Sequence, residues 1–126
     1  MELSAKQQDV RDKIRKIAEF FNLDPDWLLG IAMTESALGE HQKSPTGARG
    51  VFQMTSIAMK DLLQEMEKSN SDLIDIACGA AFLYLLKSRW VSEEDATSHF
   101  CDPADRHFYI DRTMKYKSEF KSGVHG

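Results

Sequence analysis

The residues best able to do chemistry lie between Ile31 and Met54, where an apolar helix carries one carboxylate and continues into a glycine-rich loop. Glu35 follows Leu28 by seven residues and Ile31 by four, so the spacing predicts that it continues an apolar stripe. Burial on such a stripe would raise the pKa of the carboxyl and keep it protonated near neutral pH. The pattern therefore predicts a general acid. Spacing alone leaves open the competing interpretation, a surface or ion-paired glutamate.

Two predicted helices position this stretch. Ser4 and Gln7 form a capping-box pattern that opens the first helix, and Asn22 is a suitable end for it. Asp24-Pro25 predicts the start of the second helix, which Gly39 would close. The inward face predicted for this second helix consists of its regularly spaced apolar residues, Trp27, Leu28, Ile31 and Ala32. From Gly39 to Gly50 the pattern indicates a loop or a minor irregular hairpin.

Four further helices are predicted after the loop. Their start signals are caps or Asp-Pro pairs, at Thr55 or Ser56, Ser71 or Asp72, Ser92, and Asp102-Pro103. The fourth helix of the chain is apolar on nearly every side, which predicts a central helix packed all round with Cys78 as a buried thiol. The last helix is expected to run to Phe120, before a frayed tail. Because no convincing strand pattern accompanies these helices, the predicted class is all-α.

Length, charge and cysteine content restrict the classes of function. At 126 residues the chain is expected to form a single domain spanning residues 1–126. A net charge of -4 gives no reason to expect nucleic-acid binding, and no apolar run is long enough for membrane insertion. Cys78 and Cys101 do not form a disulfide framework, and the histidines show no metal-binding spacing with them. We therefore expect neither a metal nor another cofactor.

The loop after the acid carries a specific series of residues. In order, these are Glu35-Ser36, Ser44, Gly47-Ala48, Gly50 and Gln53. The series resembles the catalytic domain of soluble lytic transglycosylases, relatives of goose-type lysozymes, whose pattern is Glu-Ser followed by Ser-x-x-Gly-Ala-x-Gly-x-x-Gln. Weaker similarity extends the resemblance over most of the chain. The resemblance implies a lysozyme-like fold with a cleft and cleavage of the β-1,4 bond between N-acetylmuramic acid and N-acetylglucosamine in peptidoglycan.

The resemblance also implies roles for individual residues. Glu35 matches the catalytic acid, which would protonate the glycosidic oxygen and then act as base towards the 6-hydroxyl of the sugar, closing a 1,6-anhydro ring. Ser44 and Gln53 match positions that bind saccharide, and Phe52 is expected to border the cleft. The family's Ala-Tyr-Asn-Ala-Gly-Pro element is not kept here. His99 stands where that element has its tyrosine, and Tyr109 is a candidate to take over part of the tyrosine's role.

The positions of the carboxylates distinguish the transglycosylase mechanism, which needs one acid, from ordinary glycoside hydrolysis, which uses two. Between Glu35 and Asp61 the only other carboxylate is Glu40, which is interpreted as a solvated charge. A single-glutamate mechanism is therefore favoured. A lysozyme-like hydrolase and a peptidoglycan-binding module without catalysis remain as alternatives.

The expected setting follows from the same resemblance and from the N-terminus. The first residues, MELSAKQQDV, do not form a signal peptide, so we expect delivery to the periplasmic cell wall by a phage particle, a holin or a secretion system. A phage endolysin is one such protein. The expected partner is the glycan strand of peptidoglycan, and the expected oligomeric state is a monomer.

Overall fold

The computed structural model describes residues 1–69, 71–100 and 104–123, and these residues are mainly helical. Their six helices are α1 (Ala5–Phe21), α2 (Pro25–Ser36), α3 (Ser56–Ser69), α4 (Asp72–Arg89), α5 (Glu93–Phe100) and α6 (Arg106–Lys121). The described residues form no strand, but two isolated antiparallel bridges join Lys43 to Arg49 and Arg49 to Met54. The predicted all-α, lysozyme-like class with a minor irregular hairpin is confirmed. None of these helices is both long and apolar enough to cross a membrane.

Alpha-carbon contacts divide the chain into two compact units, Met1–Lys68 and Ser69–Gly126, and each is described by itself. The first unit contains the Glu35 stretch, and the second contains His99 and Tyr109. The prediction that residues 1–126 form a single domain stays a prediction.

The start of α1 follows the predicted capping box. The Ser4 hydroxyl accepts from the Gln7 amide at 3.1 Å, and the Gln7 side-chain oxygen accepts from the Ser4 amide at 3.0 Å. These two bonds satisfy backbone donors that the first helical turn leaves without partners. At the other end Asn22 takes a left-handed conformation with φ 55°, as its predicted stopping role requires.

The start of α2 was predicted correctly, but its end was not. The Asp24 carboxylate accepts from the Asp26 amide at 2.9 Å, and Pro25 occupies the first turn. The helix ends at Ser36 rather than at Gly39. The residues that follow all have positive φ: Ala37 at 50°, Leu38 at 55° and Gly39 at 92°. The left-handed turn therefore begins before the glycine.

Gly39 is nevertheless required where it stands. A Cβ atom at this position would lie 2.9 Å from Cγ2 of Val10, a core residue of α1. The close approach of the turn to α1 needs a residue without a side chain. Gly39 thus places the loop against the first helix.

The core of the first unit lies between α1, α2 and the loop. Its buried members are Val10, Ile14, Ala32 and Leu38. The partly buried residues packed against it are Leu3, Leu28, Leu29, Met33, Val51 and Phe52. The inward face of α2 is therefore rotated from the predicted one, and Trp27 is 59% exposed and Ile31 37% exposed. Apolar residues occur on both sides of α2, so periodicity could not show which side is packed.

In the second unit α5 packs against both α4 and α6. The hydroxyls of Ser71 and Ser92 accept backbone amides at the starts of α4 and α5, as predicted. The last helix begins at Arg106, where the Asp105 carboxylate accepts from the Phe108 amide at 3.0 Å. This is later than the Asp102-Pro103 signal predicted, and those two residues lie outside the described part of the chain.

The predicted burial of α4 is wrong. Its only buried residue is Leu86, whereas Tyr84 is 76% exposed. Cys78 is also exposed, so the predicted buried thiol is wrong, and Cys101 lies outside the described residues. An apolar surface on every side of a helix does not require a neighbouring element on every side.

Candidate active site

Glu35 lies near the end of α2 on its exposed face, so the prediction that it is buried is wrong. It lines an open depression of about 440 Å³. The other lining residues all come from the same helix and are Asp26, Trp27, Gly30, Ile31 and Thr34. We call this surface the Glu35 depression. Its carboxylate, exposed indole and aliphatic side chain are accessible to a bound molecule, and such a surface suits a saccharide, which has both polar and apolar faces.

The Glu35 depression contains a second carboxylate, Asp26. The two residues are nine positions apart on one helix, which separates them by roughly 13 Å along its axis. Pairs of catalytic carboxylates in glycosidases lie about 5 to 9.5 Å apart. Asp26 is therefore too distant to act with Glu35 on one glycosidic bond.

Ser36 connects the end of α2 to the loop. Its side chain is 1% exposed, and its hydroxyl donates to the Val51 carbonyl at 2.7 Å. The same oxygen accepts from the Gly39 amide at 2.9 Å. The sequence motif indicates Ser36 only as part of the Glu-Ser pair and predicts no role for it. A serine directly after the acid in an apolar helix was the signal that could have identified this residue.

The side-chain nitrogen of Gln53 links two backbone segments of the loop. This nitrogen donates to the Gln42 carbonyl at 2.9 Å and to the Gly50 carbonyl at 2.8 Å. Its backbone has φ 51°, in the left-handed region. Among the described residues the side-chain oxygen has no partner, so that oxygen is the part of Gln53 still able to meet a sugar hydroxyl.

Ser44 is half-buried and belongs to a tight turn at the tip of the loop. Its hydroxyl lies 2.7 Å from the Thr46 hydroxyl and accepts from the Thr46 amide at 3.2 Å. The Ser44 carbonyl accepts from the Gly47 amide at 3.2 Å and from Nη1 of Arg49 at 3.1 Å. These contacts give Ser44 a structural role in the turn.

Phe52 and Glu40 lie away from the Glu35 depression. Phe52 is half-buried against the core and lines a separate cavity of about 340 Å³, which includes Val10 and Ile14 of α1. The exposed carboxylate of Glu40 accepts a hydrogen bond from the Ser4 hydroxyl. Glu40 is thus a surface charge that contacts the start of α1.

The second unit holds the two remaining candidates. The ring of His99 stacks on that of Trp90, with centroids 4.0 Å apart and an interplanar angle of 11°. Nδ1 of His99 lies 2.8 Å from the Asp95 carbonyl and 3.0 Å from the Ser98 hydroxyl. His99 is therefore oriented by α5 and Trp90. Tyr109 is half-buried on α6.

A comparison with known protein families identifies the family of this chain. Residues 12–97 match the Transglycosylase SLT domain, which is more than half of the chain. The chain belongs to this family. Membership of the Transglycosylase SLT domain family supports lytic transglycosylase-type activity in general, with peptidoglycan as the substrate. Searches of curated proteins and of solved structures gave no match.

The matched range contains some of the candidate site residues and not others. It includes Glu35, Ser44, Phe52 and Gln53, and it ends before His99 and Tyr109. The stretch that carries the acid and the loop is thus part of the transglycosylase domain as matched. The functional roles of all six residues stay predictions.

Proposed function

We propose that this protein cleaves the β-1,4 bond between N-acetylmuramic acid and N-acetylglucosamine as a lytic transglycosylase, with Glu35 as the only catalytic carboxylate. The observation that carries the proposal is the isolation of Glu35 in its depression. The other carboxylate in the lining, Asp26, is roughly 13 Å away along α2. One carboxylate at the bond suits a reaction in which the same group serves first as acid and then as base.

The proposed reaction has two steps. Glu35 gives its proton to the glycosidic oxygen as the bond to the anomeric carbon breaks, and the N-acetyl group of the muramic acid assists at that carbon. The resulting carboxylate then takes the proton of the 6-hydroxyl, whose oxygen bonds to the anomeric carbon. The products are a new chain end and a 1,6-anhydro end. No water is consumed, and Glu35 is again protonated.

The surroundings of Glu35 support this role. Trp27 and Ile31 supply an exposed aromatic and aliphatic surface on which a sugar ring can pack. The Ser36 hydroxyl holds the helix end against Val51, so the acid is placed on a braced element. The free oxygen of Gln53 is proposed to contact a sugar hydroxyl or acetamido group from the loop.

The test replaces each carboxylate of the Glu35 depression by its amide. Glu35→Gln removes the acid while keeping the size of the side chain, and we expect cell-wall turbidity loss to slow by on the order of 10²- to 10⁴-fold. Asp26→Asn is the matched control and is expected to stay within a few-fold of wild type. Turbidity loss at the wild-type rate with Glu35→Gln would exclude Glu35 as the acid.

A lysozyme-like hydrolase is the second candidate, and the exposure of Glu35 favours it. An open site admits water, which competes with the 6-hydroxyl for the anomeric carbon. Mass spectrometry of the released muropeptides separates the two reactions, because an anhydro end is one water lighter than a reducing end. Anhydro products support the transglycosylase, and reducing ends would establish the hydrolase instead.

A further inference from the structure

A second concave surface lies beside the Glu35 depression, on the flank of α2 that faces α1. This surface, which we call the α1–α2 groove, has a volume of about 410 Å³. Leu29, Met33 and Leu38 contribute to its apolar floor, and Arg11 and Arg15 of α1 contribute positive charge. Pockets of roughly 300 to 1,000 Å³ are large enough for a small ligand. The α1–α2 groove therefore suits a ligand with an apolar body and an anionic group.

The two arginines differ in what they already bind. Nε of Arg11 lies 3.0 Å from the Asp12 carboxylate, and its side chain is 29% exposed. Arg15 makes no hydrogen bond or ion pair with the described residues, and no carboxylate lines the groove. A guanidinium presents a planar pair of N–H donors that matches the two oxygens of a carboxylate. Arg15 is thus the available carboxylate ligand of the groove.

Gly30 joins the α1–α2 groove to the Glu35 depression, because it lines both. A glycine inside a helix costs about 1 kcal/mol relative to alanine. Packing does not require it, since a Cβ atom at this position would meet nothing within 4 Å. Because Gly30 has no side chain, no side chain at this position separates the Glu35 depression from the α1–α2 groove. A bound molecule can therefore extend from one to the other across α2.

We propose that the α1–α2 groove binds the peptide stem of peptidoglycan, with Arg15 as the ligand of a stem carboxylate. This inference rests on the proposed function. The stem is attached to the muramic acid through its lactyl group, so a glycan strand in the Glu35 depression must place the stem beside the sugar. Stem peptides combine methyl side chains with free carboxylates, which matches the apolar floor and the guanidinium. The enzyme therefore favours peptide-bearing strands over bare ones.

The test compares peptide-bearing glycan strands with strands stripped of peptide by an amidase. For Arg15→Gln we expect the ratio of kcat/KM between the two substrates to fall by on the order of tenfold, through a higher KM for peptide-bearing strands. Arg15→Lys keeps the charge but loses the planar pair of donors, so it should restore part of the ratio. Lys16→Gln removes a neighbouring charge of α1 that does not line the groove, and it should keep the wild-type ratio.

A binding measurement separates failure of this inference from failure of the proposed function. NMR titration of a soluble disaccharide-tetrapeptide into Glu35→Gln protein is expected to shift resonances of the groove, and the added change Arg15→Gln should remove those shifts. Absence of Arg15-dependent binding would overturn the inference, as would equal effects of Arg15→Gln on both kinds of strand. If neither strand is cleaved, the proposed function fails, and the titration alone decides for or against the groove.

Discussion

At the scale of single residues, Ser36 determines how the end of α2 meets the loop. Replacing it by alanine would leave the Gly39 amide and the Val51 carbonyl without their buried partner. We expect Ser36→Ala to lower the free energy of unfolding by about 1 to 3 kcal/mol, as for other buried hydrogen bonds. Cleavage should also slow, because the loop next to Glu35 loses its attachment. Urea denaturation and turbidity assays measure the two effects.

Thr34 supplies the matched control for Ser36. Its hydroxyl donates to the Gly30 carbonyl at 2.9 Å on the exposed side of the same helix. Removing an exposed hydroxyl changes stability by only about 0.5 kcal/mol. Equal destabilisation by Thr34→Ala and Ser36→Ala would contradict the prediction that the buried Ser36 hydroxyl stabilises the junction of α2 and the loop.

At the scale of elements, two glycines should respond in opposite directions to alanine. Gly39 has φ 92° and leaves no room beside Val10, so Gly39→Ala adds backbone strain and a steric clash. We expect a loss of more than about 1 kcal/mol in the free energy of unfolding. Gly30 lies inside α2 with open space around it, so Gly30→Ala should gain up to about 1 kcal/mol. Thermal and urea unfolding of both variants test the prediction, and changes of the same sign would contradict it.

The junction of α5 and α6 should depend on pH through an exposed ion pair. Lys117 donates to the Glu93 carboxylate; this hydrogen bond lowers the pKa of Glu93 and raises the pKa of Lys117. A lowered pKa stabilises the fold above the ordinary value of glutamate, about 4.3, and the contribution disappears as pH falls through the folded pKa. The raised pKa of Lys117 stabilises the fold below the ordinary value of lysine, about 10.4, and that contribution disappears as pH rises further.

The measurement for this pair is the difference in Tm between wild type and Glu93→Gln across pH. We expect a small positive difference at neutral pH that vanishes in acid, when Glu93 of the wild type is also uncharged. Added salt should reduce it, because exposed charges are screened. A difference that persists unchanged in strong acid would show that Glu93→Gln acts through packing and not through charge.

At the scale of the whole molecule, the predicted single domain should unfold in a way that calorimetry can detect. Four buried apolar residues of the first unit form a small cluster, and among the described residues of the second unit only Leu86 and Ala96 are buried and apolar. Cores of this size give a chain of about 60 residues little stability of its own. We therefore expect one cooperative unfolding transition, with calorimetric and van't Hoff enthalpies in agreement. Two resolved transitions would contradict the single-domain prediction.

The starts of the first five helices and the family could be predicted from the amino-acid sequence because both depend on short-range information. The bonds of Ser4 with Gln7 and of Ser92 with Asp95 each span three residues, so the residue types and their spacing encode them. The series from Glu35 to Gln53 is likewise continuous along the chain. These features need no knowledge of distant neighbours.

Tertiary contacts decided which side of each helix is packed. Trp27, Ile31 and Glu35 share the exposed side of α2, because Leu28, Ala32 and Ser36 lie on the side that meets α1 and the loop. Both sides are apolar, so the choice depends on which partners arrive, and local periodicity contains no information about them. The motif likewise shows that Ser44 and Gln53 are present but not what they contact. Only the structure shows that both side chains form hydrogen bonds within the loop.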